Sequence, residues 1–286
     1  MLVIGGLVFV IACVLGGYMA MGGKLGVLNQ PFEVVIICGA AIGAFIAGNP
    51  GHVLKPAIAS FGRIIKGGKY KKDDYLELLT MLYAVFKLAK SKGDLALESH
   101  VEKPEDSPLF QKFPKFMSDH HTVESFCDYL RLLTLGTSTS HEVEAVIDAE
   151  LEAHHDHDHD VSSAVVNFSE SYPALGIVAA VLGVIKTMGS ITEPPEVLGA
   201  LIGGALVGTF LGILMCYGIV GPMARCLELI MKADSHYHNV IKAALLAHMQ
   251  GYAPQVSVEF ARKNIPHSWQ PSFAETEEAI QNLPPD

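Results

Sequence analysis

Residues 198–221 read LGALIGGALVGTFLGILMCYGIVG, and this stretch decides the fold. It holds no charged side chain, and a helix of this length covers the roughly 20 residues needed to cross a bilayer's hydrocarbon core. Three further stretches have the same character: residues 2–21, residues 34–48 (short for a span) and residues 171–188. None of the four carries an aspartate or glutamate well inside it. A membrane protein that moves ions usually has an ionisable group at depth. If this chain serves an ion-driven machine, the key carboxylate comes from another chain.

Composition supports the same reading. The chain has 286 residues, of which 50% are hydrophobic and 17% charged, too apolar for a soluble domain of this size. Its 27 glycines fall mostly within the apolar blocks, where small residues let helices approach closely in lipid. The opening stretch lacks a basic leader and a small-residue cleavage site, so it reads as a retained span. Cys13, Cys38, Cys127, Cys216 and Cys226 show no metal or disulfide spacing. The formal net charge of −10 argues against a nucleic-acid partner.

The spans form two pairs around a polar segment at 49–170, with a tail at 222–286. Lys55, Arg63, Lys66, Lys69, Lys71 and Lys72 follow the second span, and Arg225 and Lys232 follow the fourth. The positive-inside rule therefore puts the middle segment, the tail and both termini in the cytoplasm. Lys186, near the outer end of the third span, can snorkel to the interface. The middle segment reads as helical. Asp73 and Asp74 suit a helix start, Leu78, Leu79, Leu82, Phe86 and Ala89 recur at helical spacing, and Gly93 ends the run. Two more amphipathic stretches run from Val123 to Leu135 and onward from Glu142. Residues 234–249 extend the fourth span as helix, and the prolines beyond, from Pro254 to Pro284 and Pro285, predict an irregular end. No β pattern appears, so the fold class is an all-α membrane protein with four spans in two pairs.

Few residues offer chemistry. The run His154-His155-Asp156-His157-Asp158-His159-Asp160 has metal-ligand composition but reads as a solvated linker. Pro173 and Pro222 lie near the cytoplasmic ends of the third and fourth spans, where a missing N–H and a ring clash make helix ends or hinges. Thr209, Tyr217 and Thr187 are the polar groups inside the spans. Thr209 either bonds its own helix carbonyls or lines a wet path. Glu33 flanks the second span and reads as solvated. Lys87, Lys90 and Lys92 lie opposite an apolar stripe with Glu98 just beyond. They form either a solvated face or a surface for a charged partner. No phosphate-binding loop and no placed nucleophile–base pair is present, so no enzyme activity, cofactor or metal is expected.

Several segments together resemble one family. Ser171-Tyr172-Pro173-Ala174-Leu175-Gly176 through Val181, Val207-Gly208-Thr209-Phe210 through Pro222, and the tail Gly251-Tyr252-Ala253-Pro254 with Val258-Glu259-Phe260-Ala261-Arg262-Lys263 are similar to the MotA family of flagellar stator subunits. Gly16-Gly17-Tyr18, Gly22-Gly23 and Gln30-Pro31 fit as well. The resemblance implies a ring of subunits, pentameric, in the bacterial inner membrane around a dimer of MotB. MotB contributes one transmembrane helix with an essential aspartate and a cell-wall anchor. Ion flow past that aspartate would drive the ring, which pushes on the rotor protein FliG.

On the same resemblance, Pro173 and Pro222 couple ion flow to conformational change and Thr209 faces the channel. Tyr217 belongs to the same path. Lys90 and Glu98 take the rotor-contact positions, Lys90 standing where arginine is usual, so the bidentate fork is lost while the charge is kept. Sodium-type relatives carry threonine at the position of Ala180. A methyl offers no oxygen to a hard cation, so protons are expected rather than sodium. The alternative is an energiser of the ExbB or TolQ kind, which would have three spans and lack the 251–263 tail.

Overall fold

The computed structural model describes residues 2–136 and 139–284, and among them every regular element is helical. The helices are α1 (Leu2–Ala20), α2 (Leu25–Leu28), α3 (Pro31–Gly48), α4 (Gly51–Lys66), α5 (Lys72–Lys92), α6 (Glu98–Glu102), α7 (Pro114–Met117), α8 (His120–Thr134), α9 (Ser140–Met188), α10 (Pro195–Ile213), α11 (Gly221–Met249), α12 (Pro254–Lys263) and α13 (Phe273–Gln281). Four helical stretches are long and apolar enough to cross a membrane, and each overlaps one of the expected spans. The chain divides into two units, one of Met1–Gly67 with His157–Met231, the other of Gly68–Asp156 with Lys232–Asp286.

The first unit holds the apolar helices. α3 and α10 each place a proline at their first turn, where the missing N–H removes a donor that would otherwise go unsatisfied. Ile37 and Ala41 of α3 pack with Tyr172 and Ala179 of α9 and with Cys216 and Val220. A second cluster joins Val53, Ala57 and Ile64 of α4 to Val161, Ala164 and Val165 of α9 and to Ala224, Leu227 and Met231 of α11. α4 is thus an amphipathic helix that buries one face, and Gly67 ends it at φ +86°, a backbone conformation suited to glycine.

The second unit has an ordinary apolar core. Leu78, Leu79, Leu82, Val85 and Phe86 of α5 form its centre, as their spacing predicts, against Phe110, Phe116, Phe126, Leu130, Val240 and Ile241. Gly93 closes α5 at φ +83°. Asp119 caps α8 and ties three segments together. Its carboxylate accepts hydrogen bonds from the Thr122 hydroxyl at 2.8 Å and from the Tyr70 hydroxyl, and it pairs with Lys69 Nζ at 2.6 Å. Tyr70 in turn stacks on Tyr237 of α11, ring centroids 3.8 Å apart.

Two expectations are corrected. The His154–Asp160 run is no linker but lies inside α9. His and Asp do not break helices, and the buried stripe of Val161, Ala164 and Val165 that follows carries the helix through. The tail is not irregular, since α12 starts on Pro254 at its first turn. α13 starts with a capping box in which Ser272 and Glu275 each satisfy the other's backbone N–H. The segment between the first two spans contains the single turn α2. Pro285 lies outside the described residues.

Burial alone would raise the Asp119 pKa, but the bonds from Lys69, Tyr70 and Thr122 hold it at about 2, down from an ordinary 3.8. Because the folded value lies below the unfolded one, ionised Asp119 stabilises the fold by about 2 kcal/mol at neutral pH. That contribution is complete above about pH 4 and disappears as pH falls towards 2. Asp119→Asn should therefore lower the melting temperature at pH 7 by several degrees in a fluorescence melt, and its deficit should shrink below pH 4. A deficit that stays constant down to pH 3 would contradict the assignment.

Candidate functional site

Within the first unit, α9 and α10 approach until backbone meets backbone. A Cβ added at Gly176 would stand 2.8 Å from the Gly208 carbonyl oxygen and 3.0 Å from Gly212 Cα. At Gly212 it would stand 2.6 Å from the Tyr172 carbonyl oxygen, and at Gly183 2.7 Å from Ala205 Cβ. Contacts this short exclude any larger residue. In lipid there is no hydrophobic drive between helices, so close backbone packing is what holds such a seam.

Two of the expected path residues meet at this seam. A Cβ at Gly208 would lie 3.1 Å from Ala179 Cβ, 3.3 Å from Ala180 N and 3.1 Å from Glu33 Oε2. Ala180 and Thr209, the residue after Gly208, therefore flank one point of contact, and both are partly exposed in the single chain. Glu33 departs from its expected place in solvent. Its Oε2 is buried and has no hydrogen-bond partner among the described residues. The reason is local: α3 starts at Pro31, so Glu33 belongs to the first helical turn and faces α10. The Gln30 amide beside it reaches Gly204.

The other path residues meet one step further along. Residues 214–220 form a π-helix, and Gly221 and Pro222 follow it directly. Proline cannot donate to the carbonyl four residues back and its ring crowds that carbonyl, so a wider helical turn relieves the clash. Gly221 is required here, since a Cβ would stand 2.3 Å from the Cys216 carbonyl oxygen. That carbonyl accepts the Gly221 backbone N–H and also a hydrogen bond from Ser169 Oγ at 3.2 Å. Ser169 sits four residues before Pro173, which lies inside α9 rather than at a helix end. The surroundings of the two prolines are therefore joined by one side chain. Sequence reading misses Ser169, although its i−4 relation to Pro173 is a signal that could find it. A cavity of about 390 Å³ opens beside this join, lined by Ser169, Glu170, Tyr217, Pro222 and Arg225 among others.

Lys90 and Glu98 lie in the second unit, separated by Gly93 and the 3-10 turn Asp94–Leu97. Both are exposed. Lys90 Nζ donates to the Gly251 carbonyl at 3.3 Å, while Glu98, the first residue of α6, forms no ion pair among the described residues. Nearby, Asp94 pairs with His248 at 3.8 Å. Among the described residues no three His, Cys, Asp or Glu side chains gather into a metal-holding set.

Comparison with known proteins matches these features. The family model for the motility protein A N-terminal region matches residues 4–93, and that of the MotA/TolQ/ExbB proton channel family matches residues 119–239. The chain is 40% identical to motility protein A of Escherichia coli (strain K12) over 281 residues, 98% of this chain and 95% of the relative. It is 35% identical to chemotaxis protein LafT of Vibrio parahaemolyticus over 272 residues, 95% of each. Two solved structures share the fold. The C. jejuni MotAB structure gives a TM-score of 0.75 at 20% identity, covering 93% of this chain and 95% of that one. The Bacillus subtilis flagellar MotAB stator complex gives 0.70 at 24%, covering 90% and 92%.

The contact at Gly221 makes a direct prediction. Gly221→Ala should abolish motility, because its methyl and the Cys216 carbonyl cannot both keep their places. Membrane abundance should remain near normal, since the seam at Gly176 and Gly212 is untouched. Normal swimming by the variant in soft agar would show that the π-helix has no part in the work.

Proposed function

We infer the working assembly from the family: the chain belongs to the MotA/TolQ/ExbB proton channel family and is a stator subunit of the bacterial flagellar motor. It is a multi-pass membrane protein whose task is to turn ion flow into torque. We propose that copies of it form a ring, pentameric, around a dimer of a MotB-type partner in the inner membrane. Both termini face the cytoplasm on this reading, supported by the basic residues that follow the second and fourth spans.

The observation that carries the proposal is the α9–α10 seam. There Ala180 and Thr209 flank the backbone contact at Gly208, next to the π-helix that leads to Pro222. An aspartate on the partner's helix would bind and release the ion along this wall. Its change of charge would shift the balance between arrangements of the Pro173 and Pro222 region, with Tyr217 at the cavity beside them. The methyl of Ala180 supports protons over sodium, which needs several oxygen ligands. Near-complete coverage of motility relatives favours a stator over an ExbB- or TolQ-like energiser.

Torque would leave through the exposed charges Lys90 and Glu98, acting on the rotor protein FliG. Such a contact works by complementary charge and fixes which partner is engaged more than how tightly.

Two measurements test this. In tethered cells, rotation should continue when sodium is removed and stop when an uncoupler collapses the proton gradient. Rotation that requires sodium would reverse the choice of ion. Reversing Lys90 and Glu98 together should reduce swimming speed severalfold with little loss of stability, since exposed charges contribute only ~0–1 kcal/mol. If the double reversal swims normally, the rotor contact lies elsewhere.

A further inference from the structure

Glu33 is a carboxyl packed against the α9–α10 seam, and nothing in the fold explains it as structure. Its Oε2 is buried and has no partner among the described residues. The N-cap residue of α3, Gln30, makes no side-chain capping bond, so no capping box is formed between it and Glu33. Glu33 lies in the first turn of α3, and only its Oε2 side is closed off, the residue as a whole being partly exposed. A carboxylate left unpaired in apolar surroundings is costly, so it must either meet water or carry a proton. The α3 N-terminus favours negative charge nearby by a fraction of a kcal/mol, too little to offset that cost.

Geometry connects this carboxyl to the path. The Cβ position at Gly208 lies 3.1 Å from Glu33 Oε2 and 3.3 Å from Ala180 N, so three helices bring Glu33, Ala180 and Gly208 to one place, with Thr209 the next residue along α10. Glycine at 208 leaves that place open. A side chain there would press on the carboxyl.

We propose that Glu33 is a proton-binding group of the ion path, a relay carboxyl that this chain itself contributes. The proposal rests on the stator reading. The carboxylate takes a proton from hydronium on the outer side, leaving water, and becomes a neutral acid. That O–H bond then breaks as the proton passes through path water to the carboxylate of the partner's helix, and the Glu33 carboxylate is restored. No other reactant is needed. Glu33 acts as a first stop, and the partner's acid remains the group whose charge does the work.

The test uses the stator complex reconstituted into vesicles with a pH-sensitive dye inside and a potassium diffusion potential. Wild type should conduct protons. Glu33→Gln, which keeps shape and polarity but cannot titrate, should lose at least threefold of the flux. Glu33→Asp should recover most of it. A wild-type complex without proton flux would refute the proton-driven stator reading on which the relay rests. A conducting wild type with an unchanged Glu33→Gln variant would refute only the relay.

Labelling of the unaltered protein covers the case in which Glu33→Gln fails to assemble. Dicyclohexylcarbodiimide reacts with protonated carboxyls in apolar surroundings, and peptide mass mapping should find its adduct on Glu33, formed more slowly as pH rises. No adduct at Glu33 in membranes would overturn the proposal.

Discussion

The contact between α9 and α10 is the constraint from which the rest of the membrane unit follows. Gly176, Gly208 and Gly212 let two backbones come within van der Waals reach, and Gly183 against Ala205 continues the seam. Because lipid tails are as apolar as the helices, only such close dispersion contact favours one helix arrangement over others. The seam sets Ala180 beside Gly208 and Thr209, and it leaves room for the Glu33 carboxyl from α3. Further along, α10 leads into the π-helix and its join to Ser169 of α9. The proposed path and hinge would thus share one packing surface.

That arrangement assigns separate work to separate residues. Glycines provide proximity, and Ala180 and Thr209 line the contact. Pro173 and Pro222 each leave a carbonyl without its usual donor, and the Ser169 hydroxyl bonds within the widened turn before Pro222. In the other unit, Asp119 and its three donors fix the start of α8, while Lys90 and Glu98 stay exposed. The absence of carboxylates from the apolar stretches thus has a narrower meaning. On the proposed reading the principal acid comes from a partner, while Glu33 gives the chain a carboxyl of its own at the seam.

How much of this the sequence shows depends on the physics behind each feature. The four spans and the α5 core stripe of Leu78, Leu82 and Phe86 are legible because hydrophobic period and length determine them. The seam is not, since a glycine count says that helices can approach but not which residues meet. Glu33 is misplaced because the apolar window starts at Val34, although Pro31 at a first helical turn is enough to put it within the helix. The His154–Asp160 run misleads because composition describes solvation, whereas its helix is sustained by the buried valines and alanine that follow. The Ser272–Glu275 capping box is readable but masked by the surrounding prolines.

The most direct measurement of the central claim is proton current through the reconstituted complex when the seam is altered one methyl at a time. Gly176→Ala and Gly212→Ala should each reduce current by tenfold or more, since their new methyls would stand 2.8 Å and 2.6 Å from carbonyl oxygens of the facing helix. Gly199→Ala, in the same α10 but with nothing within 4 Å, should leave it unchanged. Wild-type current from the Gly176→Ala or Gly212→Ala complex would contradict the account.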